Sequence, residues 1–450
     1  MSLVTLIPGI LCIIALIRGG TQGAFLNVVL PVLLLLPVNF YLKIAHLPAL
    51  TFVDVALFPF GIGMILMDLP RWRFSRMDLY VFFFIFSCGY SEYLLYSEWR
   101  AMATAVIEGL VPYMAGKLLM NQPGMWEKTI KRFVTLVAIA SFFAMYEYFF
   151  KANPYRLFWT HFYPGQWAPE TAIRRGFGRV SGPYVQSELA GIILMAALLL
   201  TVWLKRRHYK EPQFRRLVAG VPKYAGVILF ILTLALFMTQ ARGPWLGAII
   251  ALTIASIGQA RNPIRRTIMI LGFAVLVGIP AYQVVKEYMS GPRKDYGSER
   301  ETAQYRAELI DNYVPRAKQG GAWGLGRVLP IIDGQTSVDN EYLLAWLIQG
   351  YVGLTTLLLL FIEAAITFFR LGLKTRSSRN RHLIFSLLGI LLGMAFVLST
   401  VWLGSQTFEL LFLLVGWSQA IPSINIQEKP NAKEDVHPGW RESTAMRVYT

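Results

Sequence analysis

Arg242 interrupts a long apolar stretch in the middle of the chain, FMTQARGPWLGAIIAL. Charged side chains at membrane depth are costly and rare, and they usually face a cavity, a partner or a substrate. Gly243 and Pro244 follow the arginine, and proline in the first turn favours the start of a helix. The pattern predicts a helix whose amino-terminal dipole and Arg242 guanidinium point at one place, which is typical of an anion site. An arginine that reaches the outer lipid headgroups is the alternative.

A second group of cations lies in the segment ETAIRRGFGRVSGPYVQSELAG, which carries Arg174, Arg175 and Arg179. The topology described below places these arginines on the side of the membrane where few basic residues are expected. An anionic ligand would explain them. Contact with lipid headgroups, or a salt bridge with Glu170 or Glu188, is the alternative.

Three polar residues, Asp339, Asn340 and Glu341, stand where another long apolar segment begins. Aspartate or asparagine at the start of a helix is an ordinary N-cap, because its side-chain oxygen accepts a hydrogen bond from a free amide of the first turn. A carboxylate that faces the same side as the arginines is the other interpretation.

Several familiar catalytic signatures are absent from the sequence. The Gly116–Lys117 pair is followed by leucine, so there is no Walker-type phosphate loop. The sequence also lacks an Asp-x-Asp pair, a zinc-binding spacing of histidines and a Gly-x-Ser-x-Gly motif. We therefore predict a site that needs no metal or cofactor and consists of arginines and a carboxylate.

The composition indicates which elements position these groups. The chain has 450 residues, of which 55% are hydrophobic and 15% charged, and its mean hydropathy is +0.48. Apolar runs that could cross the hydrocarbon layer recur from end to end, which predicts an all-α, polytopic transmembrane helical bundle of about 12–13 spans. The predicted spans are 3–17, 24–42, 49–68, 78–96, 103–120, 130–150, 184–204, 223–240, 242–258, 267–284, 341–369, 382–403 and 405–422.

Short basic loops orient this bundle. Two spans separate neighbouring basic loops, so the loops share one face, and the positive-inside rule makes that face cytoplasmic. The net charge of +17 is explained in this way without a nucleic-acid partner. Residues 1–422 are predicted to form one integral domain, and the polar segment 423–450 a disordered cytoplasmic tail. The basic loops are Arg71–Arg76, Trp126–Arg132, Lys205–Arg216, Arg261–Arg266 and Arg370–Arg381.

Two longer segments, about 151–183 and 285–340, fall on the opposite, outer face. The second contains SERETAQYRAELIDNYVPRAKQ (Ser298–Gln319), whose start resembles a capping box. Its weak apolar stripe predicts a helix that lies over the outer mouth and ends at Pro315.

Three stretches resemble the bacterial O-antigen ligase and O-antigen polymerase superfamily of integral membrane glycosyltransferases. TQARGPWLG is similar to the superfamily's Ser-Arg-Gly-x-Trp/Tyr-Leu signature, and GRVSGPYVQSELAG is similar to its Arg-x-x-Gly…Pro-Asn…Ala segment. GLG followed by VDNEYLLAWLIQGYVGL resembles its Gly-x-Gly loop and His-Asn-x-Tyr-Leu…Gly-x-x-Gly-Leu motif. The order of the motifs agrees with the superfamily, and the resemblance covers roughly Gly176–Leu354.

The resemblance implies a GT-C-like fold and a polyprenyl-diphosphate-linked glycan as donor, used without a cofactor at the periplasmic face of the bacterial inner membrane. For such a donor, our hypothesis from the residues is that Arg242 at its helix start binds the diphosphate, with Arg179 and Arg306 as further clamps. Asp339 would orient or deprotonate the hydroxyl of the acceptor, which is another glycan or lipid A core. Further predicted substrate-binding residues are Arg174, Arg175, Asn340 and Glu341.

Two departures from the superfamily pattern bear on the reaction. The chain has Asp339 where ligases carry histidine, and PYVQSE where Pro-Asn is usual. A carboxylate can also accept a proton, and the change favours a polysaccharide polymerase over an O-antigen ligase. A chain-length regulator is a candidate partner besides the glycan substrates and membrane lipids. Trp159, Trp167 and Trp323 are candidates for stacking on sugars, with anchoring at the membrane interface as the alternative.

Two other classes of protein remain open at this stage. A flippase or other transporter of lipid-linked glycans would also suit an outer cationic cavity, but it needs a polar path across the membrane. The charged residues within the predicted spans that could form such a path are few: Asp54, Glu108, Glu147 and Glu363. The second class is a non-catalytic assembly protein, which would tolerate loss of both Arg242 and Asp339.

Overall fold

The computed structural model of the protein describes residues 2–166, 168, 170–210, 221–289, 299–328, 332, 335, 337–404 and 406–427. The α-helices are α1 (Ile7–Ala24), α2 (Leu30–Leu35), α3 (Phe52–Asp68), α4 (Arg76–Tyr96), α5 (Arg100–Ala105), α6 (Val111–Met114), α7 (Met125–Phe150), α8 (Pro154–Trp159), α9 (Ser187–Lys210), α10 (Val221–Met238), α11 (Arg242–Ile257), α12 (Pro263–Met289), α13 (Glu299–Gln319), α14 (Glu341–Lys374), α15 (Ser378–Leu398) and α16 (Gln406–Gln427).

Short segments of other geometry complete the described elements. The 3₁₀ turns are Ser2–Leu6 and Leu69–Arg71, and the π-helical segments are Phe25–Val29, Val106–Leu110 and Ala115–Leu119. Two antiparallel hairpins pair β1 (Tyr41–Leu42) with β2 (Leu50–Thr51), and β3 (Ile173–Arg174) with β4 (Phe177–Gly178).

The prediction of an all-α polytopic membrane protein is confirmed. Within the described residues, nine helices are long and apolar enough to cross a membrane. Two shorter apolar helices, Tyr224–Met238 and Arg242–Ile257, lie at two further predicted spans. The last helix, α16, ends at Gln427, five residues beyond the predicted end of the integral domain, and residues 428–450 of the predicted tail lie outside the described residues.

The first long apolar run, Leu3–Leu35, contains the predicted span 3–17 and most of the predicted span 24–42, which ends at Leu35 instead of residue 42, and the run turns back between them. Gly20 interrupts its helical geometry with φ +61° and ψ −166°. Thr5 and Leu34 lie at the same end of the bundle, because their oxygens hydrogen bond the hydroxyls of Tyr163 at 2.7 Å and Tyr184 at 3.3 Å. Gln22 lies at the other end beside Gln122. The run therefore traverses the bundle twice, as the sequence predicts.

The basic segments gather at one end of the bundle. Arg381 donates hydrogen bonds to the carbonyl oxygens of Gly258 at 3.1 Å and Ala260 at 3.2 Å. Arg379 forms a salt bridge with Glu127, and the carbonyl oxygen of Arg379 accepts a hydrogen bond from the indole N–H of Trp203 in α9. This end therefore joins three of the loops that the positive-inside rule assigns to one face.

The helix predicted over the opposite end exists, but its end differs from the prediction. Helix α13 continues past Pro315 to Gln319. Proline removes one amide donor, but its fixed φ is compatible with a helix. Leu309, Tyr313 and Ala317 are buried in a small core with the first turns of α14, so packing holds the last turn in place.

Helix α14 is broken at Gly350, where φ is +69° and ψ −160°. At the break, backbone amide and carbonyl groups of α14 lack partners within the helix, and the glycine-rich loop before α14 forms hydrogen bonds with them. The amide of Leu325 donates to the carbonyl oxygen of Leu347 at 2.6 Å, and the amide of Tyr351 donates to the carbonyl oxygen of Gly321 at 3.1 Å. The Gly-x-Gly loop and the Gly-x-x-Gly-Leu motif are thus one interlocked structure.

Candidate functional site

Arg242 is the first residue of α11 and is exposed. Ala241 before it is extended, with φ −105° and ψ 109°, so the chain turns into the helix at the arginine. Trp245 fixes this start: its indole N–H donates to the carbonyl oxygen of Leu236 at 2.8 Å, and its ring stacks on Phe237 with centroids 5.0 Å apart. The break between α10 and α11 is therefore held rigidly, and the amino terminus of a helix presents Arg242.

The two residues behind Arg242 are fixed by close packing. A Cβ atom at Gly243 would lie 2.6 Å from the hydroxyl oxygen of Thr400, so a side chain there would displace the segment between α15 and α16. Pro244 is buried against Gly191 of α9, where a side chain would overlap the proline ring. These contacts explain the Arg-Gly-Pro order and dock the start of α11 on two other elements.

The β3–β4 hairpin carries the first arginines of the outer loop. Arg175 and Gly176 form its two-residue turn, with φ values of +53° and +82°. Arg174 is half-buried, and its Nη1 atom donates to the carbonyl oxygen of Gln240 at 3.0 Å. Since Gln240 stands two residues before Arg242, the hairpin brings Arg174 close to the start of α11 at Arg242.

Arg179 forms a salt bridge with Glu188. Nη2 of Arg179 lies 2.5 Å from Oε1 of Glu188, and the two side chains are 17% and 22% exposed. This pair is the predicted alternative to an anion-binding role for Arg179. A partly buried pair of this kind fixes the guanidinium in one orientation, and the other guanidinium edge can still bind an anion.

Glu147, a residue that the sequence analysis weighed only as part of a transport path, anchors the outer loop. Its side chain is fully buried at the end of α7. Its carboxylate accepts the amides of Ser181 at 3.0 Å and Gly182 at 2.8 Å, and the side chains of Thr171 at 3.0 Å and Asn153 at 3.2 Å. These donors satisfy the buried charge and hold the segment that carries Arg174 and Arg179. The available sequence signal was a lone glutamate in the last turn of an apolar span.

Helix α13 brings a further arginine to the mouth. Nη2 of Arg306 donates to the carbonyl oxygen of Thr400 at 3.4 Å, and Thr400 is the residue that packs on Gly243. The neighbouring Tyr305 hydroxyl donates to the carbonyl oxygen of Ser337 at 2.6 Å, which holds the segment leading into α14.

Asp339 lies in this segment and is half-buried. Burial raises the pKa of its carboxyl above the ordinary aspartate value, and the negative charge of Glu188 raises it further. A hydrogen bond with Ser337 and the positive charge of Arg306 act in the opposite direction. Asp339 therefore belongs to the same electrostatic cluster as Arg179, Glu188 and Arg306, and its raised pKa suits a proton acceptor.

Asn340 and Glu341 take other positions. Asn340 is the N-cap of α14, because its side-chain oxygen accepts the amide of Leu343 at 3.2 Å. The predicted capping role therefore falls on Asn340. Glu341 is buried and turned away from the arginines: its Oε2 atom accepts the amide of Leu403 at 2.6 Å. The sequence placed these adjacent residues in one site, but the helix start directs them to different surroundings.

Two of the three tryptophans proposed to stack on sugars lie in aromatic clusters. The ring of Trp159 packs on Phe52 with centroids 4.7 Å apart, and the ring of Trp323 packs on Tyr90 at 4.6 Å. Trp167 lies outside the described residues.

The predicted arginines and the carboxylate lie at the end of the bundle opposite the basic loops, and hydrogen bonds, a salt bridge and packing contacts connect several of them through shared neighbours. Five guanidinium groups and two carboxylates belong to this mouth, so it is cationic. Such a mouth can hold a doubly charged anion beside a proton-accepting carboxylate. Its members are Arg174, Arg175, Arg179, Arg242, Arg306, Glu188 and Asp339.

Fold and site define an integral membrane protein with a cationic, carboxylate-containing mouth at one end of a helical bundle. Residues 227–358 match the family model described as O-antigen ligase. The match includes Arg242, Arg306 and Asp339, and it supports the resemblance of this part of the chain to the O-antigen ligase and polymerase superfamily. Comparison with curated proteins gives no match.

Proposed function

We propose that the protein transfers an oligosaccharide from a polyprenyl-diphosphate carrier to a sugar hydroxyl, and so polymerises an O-antigen or exopolysaccharide. The convergence of Arg174, Arg179, Arg242 and Arg306 on one mouth beside Asp339 is the observation that carries this proposal. The diphosphate of such a donor is anionic and suits the arginines, and its polyprenyl chain can lie along the apolar helices that surround the mouth.

In the proposed reaction the oxygen of the acceptor hydroxyl attacks the anomeric carbon of the donor sugar. The bond from that carbon to the diphosphate oxygen breaks, and its electron pair remains on the departing polyprenyl diphosphate. The hydroxyl proton passes to Asp339. Arg242, Arg179 and Arg306 stabilise the negative charge that grows on the diphosphate, where fixed guanidinium groups are most effective because they need little reorganisation. No metal ion or cofactor takes part in this scheme.

The acceptor in the proposed reaction is a second lipid-linked glycan. An aspartate at position 339, where ligases carry histidine, favours polymerisation, and transfer to lipid A core by an O-antigen ligase is the alternative. We place the protein in the bacterial inner membrane with the arginine mouth facing the periplasm, because the basic loops gather at the other end. A chain-length regulator would be a further partner.

The acidic residues considered for a transporter path support this choice of an enzyme. Glu147 is held by the outer loop, and Glu363 lies 3.1 Å from Arg76. Asp54 caps the start of α3, where its Oδ2 atom accepts the amide of Thr51 at 2.9 Å. Glu147, Glu363 and Asp54 each bind a neighbouring group of the protein, whereas a polar path would need such residues in sequence across the bundle.

The test uses protein purified in detergent, a polyprenyl-diphosphate oligosaccharide as the only glycan, and EDTA in place of added metal. A ladder of products one repeat apart supports the polymerase. One product that forms only when lipid A core is added indicates the ligase. Absence of transfer with either acceptor, together with movement of the donor across liposomes, would refute the enzyme and favour the transporter.

A further inference from the structure

A second polar cavity lies beside the arginine mouth. Its volume is about 320 Å³, at the lower end of the range for small-molecule sites, and it lies between α4, α14, the Val106–Leu110 segment and the connection from α15 to α16. The side chains that matter here are Cys88, Glu108, Arg327, Glu341, Gln349 and Trp402.

Two carboxyl groups on different elements line this cavity. Glu341 uses its Oε2 atom to accept the amide of Leu403 at 2.6 Å. Glu108 belongs to the π-helical segment Val106–Leu110. Single π-helical turns inside apolar helices often mark functional sites, because they redirect a side chain at the expense of regular hydrogen bonding.

Arg327 stands at the rim and is not a free cation of the cavity. Its amide donates to Oε1 of Glu92 at 2.6 Å, and its Nε atom lies 3.8 Å from the same oxygen. The Arg327 side chain is 64% exposed, so the rim opens to the outside at this residue. Because Arg327 is paired with Glu92 and the lining also contains Glu108 and Glu341, the cavity lacks the excess of positive charge that characterises the arginine mouth.

The cavity and the arginine mouth share a wall. On one side of the α15–α16 connection, Thr400 contacts Arg306 and Gly243 of the mouth. On the other side, Trp402 lines the cavity. The start of α14 also contributes to both sites. Asp339 interacts with the arginine cluster, and Glu341, two residues later, lines the cavity.

We propose that this cavity binds the acceptor, as an uncharged, hydroxyl-rich sugar of the glycan that receives the chain; this rests on the proposed function. Carboxyl and amide groups of Glu108, Glu341 and Gln349 can hydrogen bond sugar hydroxyls, which both donate and accept. The indole of Trp402 offers an apolar face for the ring. From this cavity the acceptor hydroxyl reaches the anomeric carbon held at the mouth, gives its proton to Asp339, and forms the new glycosidic bond as the diphosphate leaves.

The charges of the two sites divide the substrates between them. A diphosphate or an acidic sugar in the cavity would meet the carboxyl groups of Glu108 and Glu341 instead of guanidinium groups, so its negative charge would be buried without a counter-charge. The arginine mouth has the opposite charge. An enzyme with this arrangement holds the anionic donor on one side of Asp339 and the neutral acceptor sugar on the other.

The direct test uses the free oligosaccharide repeat, released from its lipid diphosphate, as both a binding probe and an acceptor. Glu108→Gln and Trp402→Ala are compared with Glu363→Gln, which alters a carboxylate paired with Arg76 away from the cavity. We expect the cavity variants to raise the acceptor KM and the Kd of the free repeat by about tenfold or more, equal to about 1.4 kcal/mol. The donor KM should remain within twofold of wild type, and Glu363→Gln should match wild type in every measurement.

Three outcomes would overturn the inference: no binding of the free repeat by wild type, an unchanged acceptor KM in both cavity variants, or an equal rise in both KM values. Arg242→Ala in the same assay tests the proposed function separately, because it should impair use of the donor and leave the Kd of the free repeat unchanged. Full activity of Arg242→Ala would refute the proposed function even if the cavity variants lose acceptor binding.

Discussion

Nη2 of Arg179 lies 2.5 Å from Oε1 of Glu188, so an arginine predicted to clamp the diphosphate is also paired with a carboxylate at the start of α9. Both side chains are partly buried, and the pair connects the outer loop to the helix that packs on Pro244. Glu188 also raises the pKa of Asp339. One carboxylate therefore orients a guanidinium group and acts on the proposed base.

A double-mutant cycle tests whether Glu188 works through Arg179. Arg179→Ala should lower kcat/KM for the donor by about tenfold or more, because a charge-assisted contact to the diphosphate is lost. Glu188→Ala should cause a smaller loss, since Arg179 is then no longer held in one orientation. In the Arg179→Ala background Glu188→Ala should have almost no further effect on the donor KM. Simple additivity of the two losses would contradict a positioning role.

Asp339→Asn should retain the fold and lose the chemistry. Asn340 caps α14, so the helix start does not depend on the Asp339 carboxylate. Loss of a general base typically lowers kcat by about 10²- to 10⁴-fold. Near-wild-type turnover in this variant would mean that Asp339 does not accept the proton.

The pH dependence of wild-type turnover provides a second test of Asp339. Burial and Glu188 raise its pKa, and the base acts in its ionised form. Turnover should therefore rise with pH and reach its plateau at a higher pH than an ordinary aspartate would give. This acidic limb should be absent from the residual activity of Asp339→Asn. An acidic limb of the same midpoint in the variant would assign it to another group.

Glu147→Ala should disorganise the outer loop and affect the donor more than the helical bundle. The substitution leaves the amides of Ser181 and Gly182 without their acceptor, at a cost of about 1–3 kcal/mol for each buried donor. We expect proteolysis within residues 171–186 and a raised donor KM, measured by limited digestion and initial rates. Glu363→Gln is the control. A digestion pattern identical to wild type would contradict the anchoring role.

Gly350→Ala should separate the glycine-rich loop from α14. An added Cβ would overlap the carbonyl oxygen of Ala322, and φ of +69° is unfavourable for alanine. The expected cost is roughly 1–3 kcal/mol of stability, seen as a lower Tm in detergent. Gly272→Ala in α12 has open space around the added atom and should leave the Tm unchanged. Equal Tm values for the two variants would contradict the proposed interlock.

Much of the architecture could be predicted because membrane helices have a strong local signature. The apolar runs predicted at 223–240 and 242–258 correspond closely to Val221–Met238 and Arg242–Ile257, and the basic loops correctly identified one end of the bundle. Pro315 misled the prediction, because local propensity does not include the packing of Tyr313 and Ala317 on α14.

The sequence singled out the arginines because cations on the outer face are unexpected, and their role as a site stays a prediction. The surroundings of the individual side chains were harder to predict. Glu341 and Asp339 have different surroundings because their side chains leave the start of α14 in different directions. Tertiary contacts set these directions, and they cannot be read from the sequence. Glu147 was missed for a related reason: four of its five hydrogen bonds come from Thr171, Ser181 and Gly182, which are 24 to 35 residues away, and only folding brings these groups together.

The most direct measurement compares Arg242→Ala, Arg242→Lys and the control Arg265→Ala in the purified system with the polyprenyl-diphosphate oligosaccharide. Arg265 lies near the start of α12 at the basic end of the bundle. We predict that Arg242→Ala abolishes product formation, that Arg242→Lys retains only a small fraction because lysine cannot bind two phosphate oxygens in a fork, and that Arg265→Ala equals wild type. Wild-type turnover by folded Arg242→Ala protein would contradict the central claim that Arg242 binds the diphosphate.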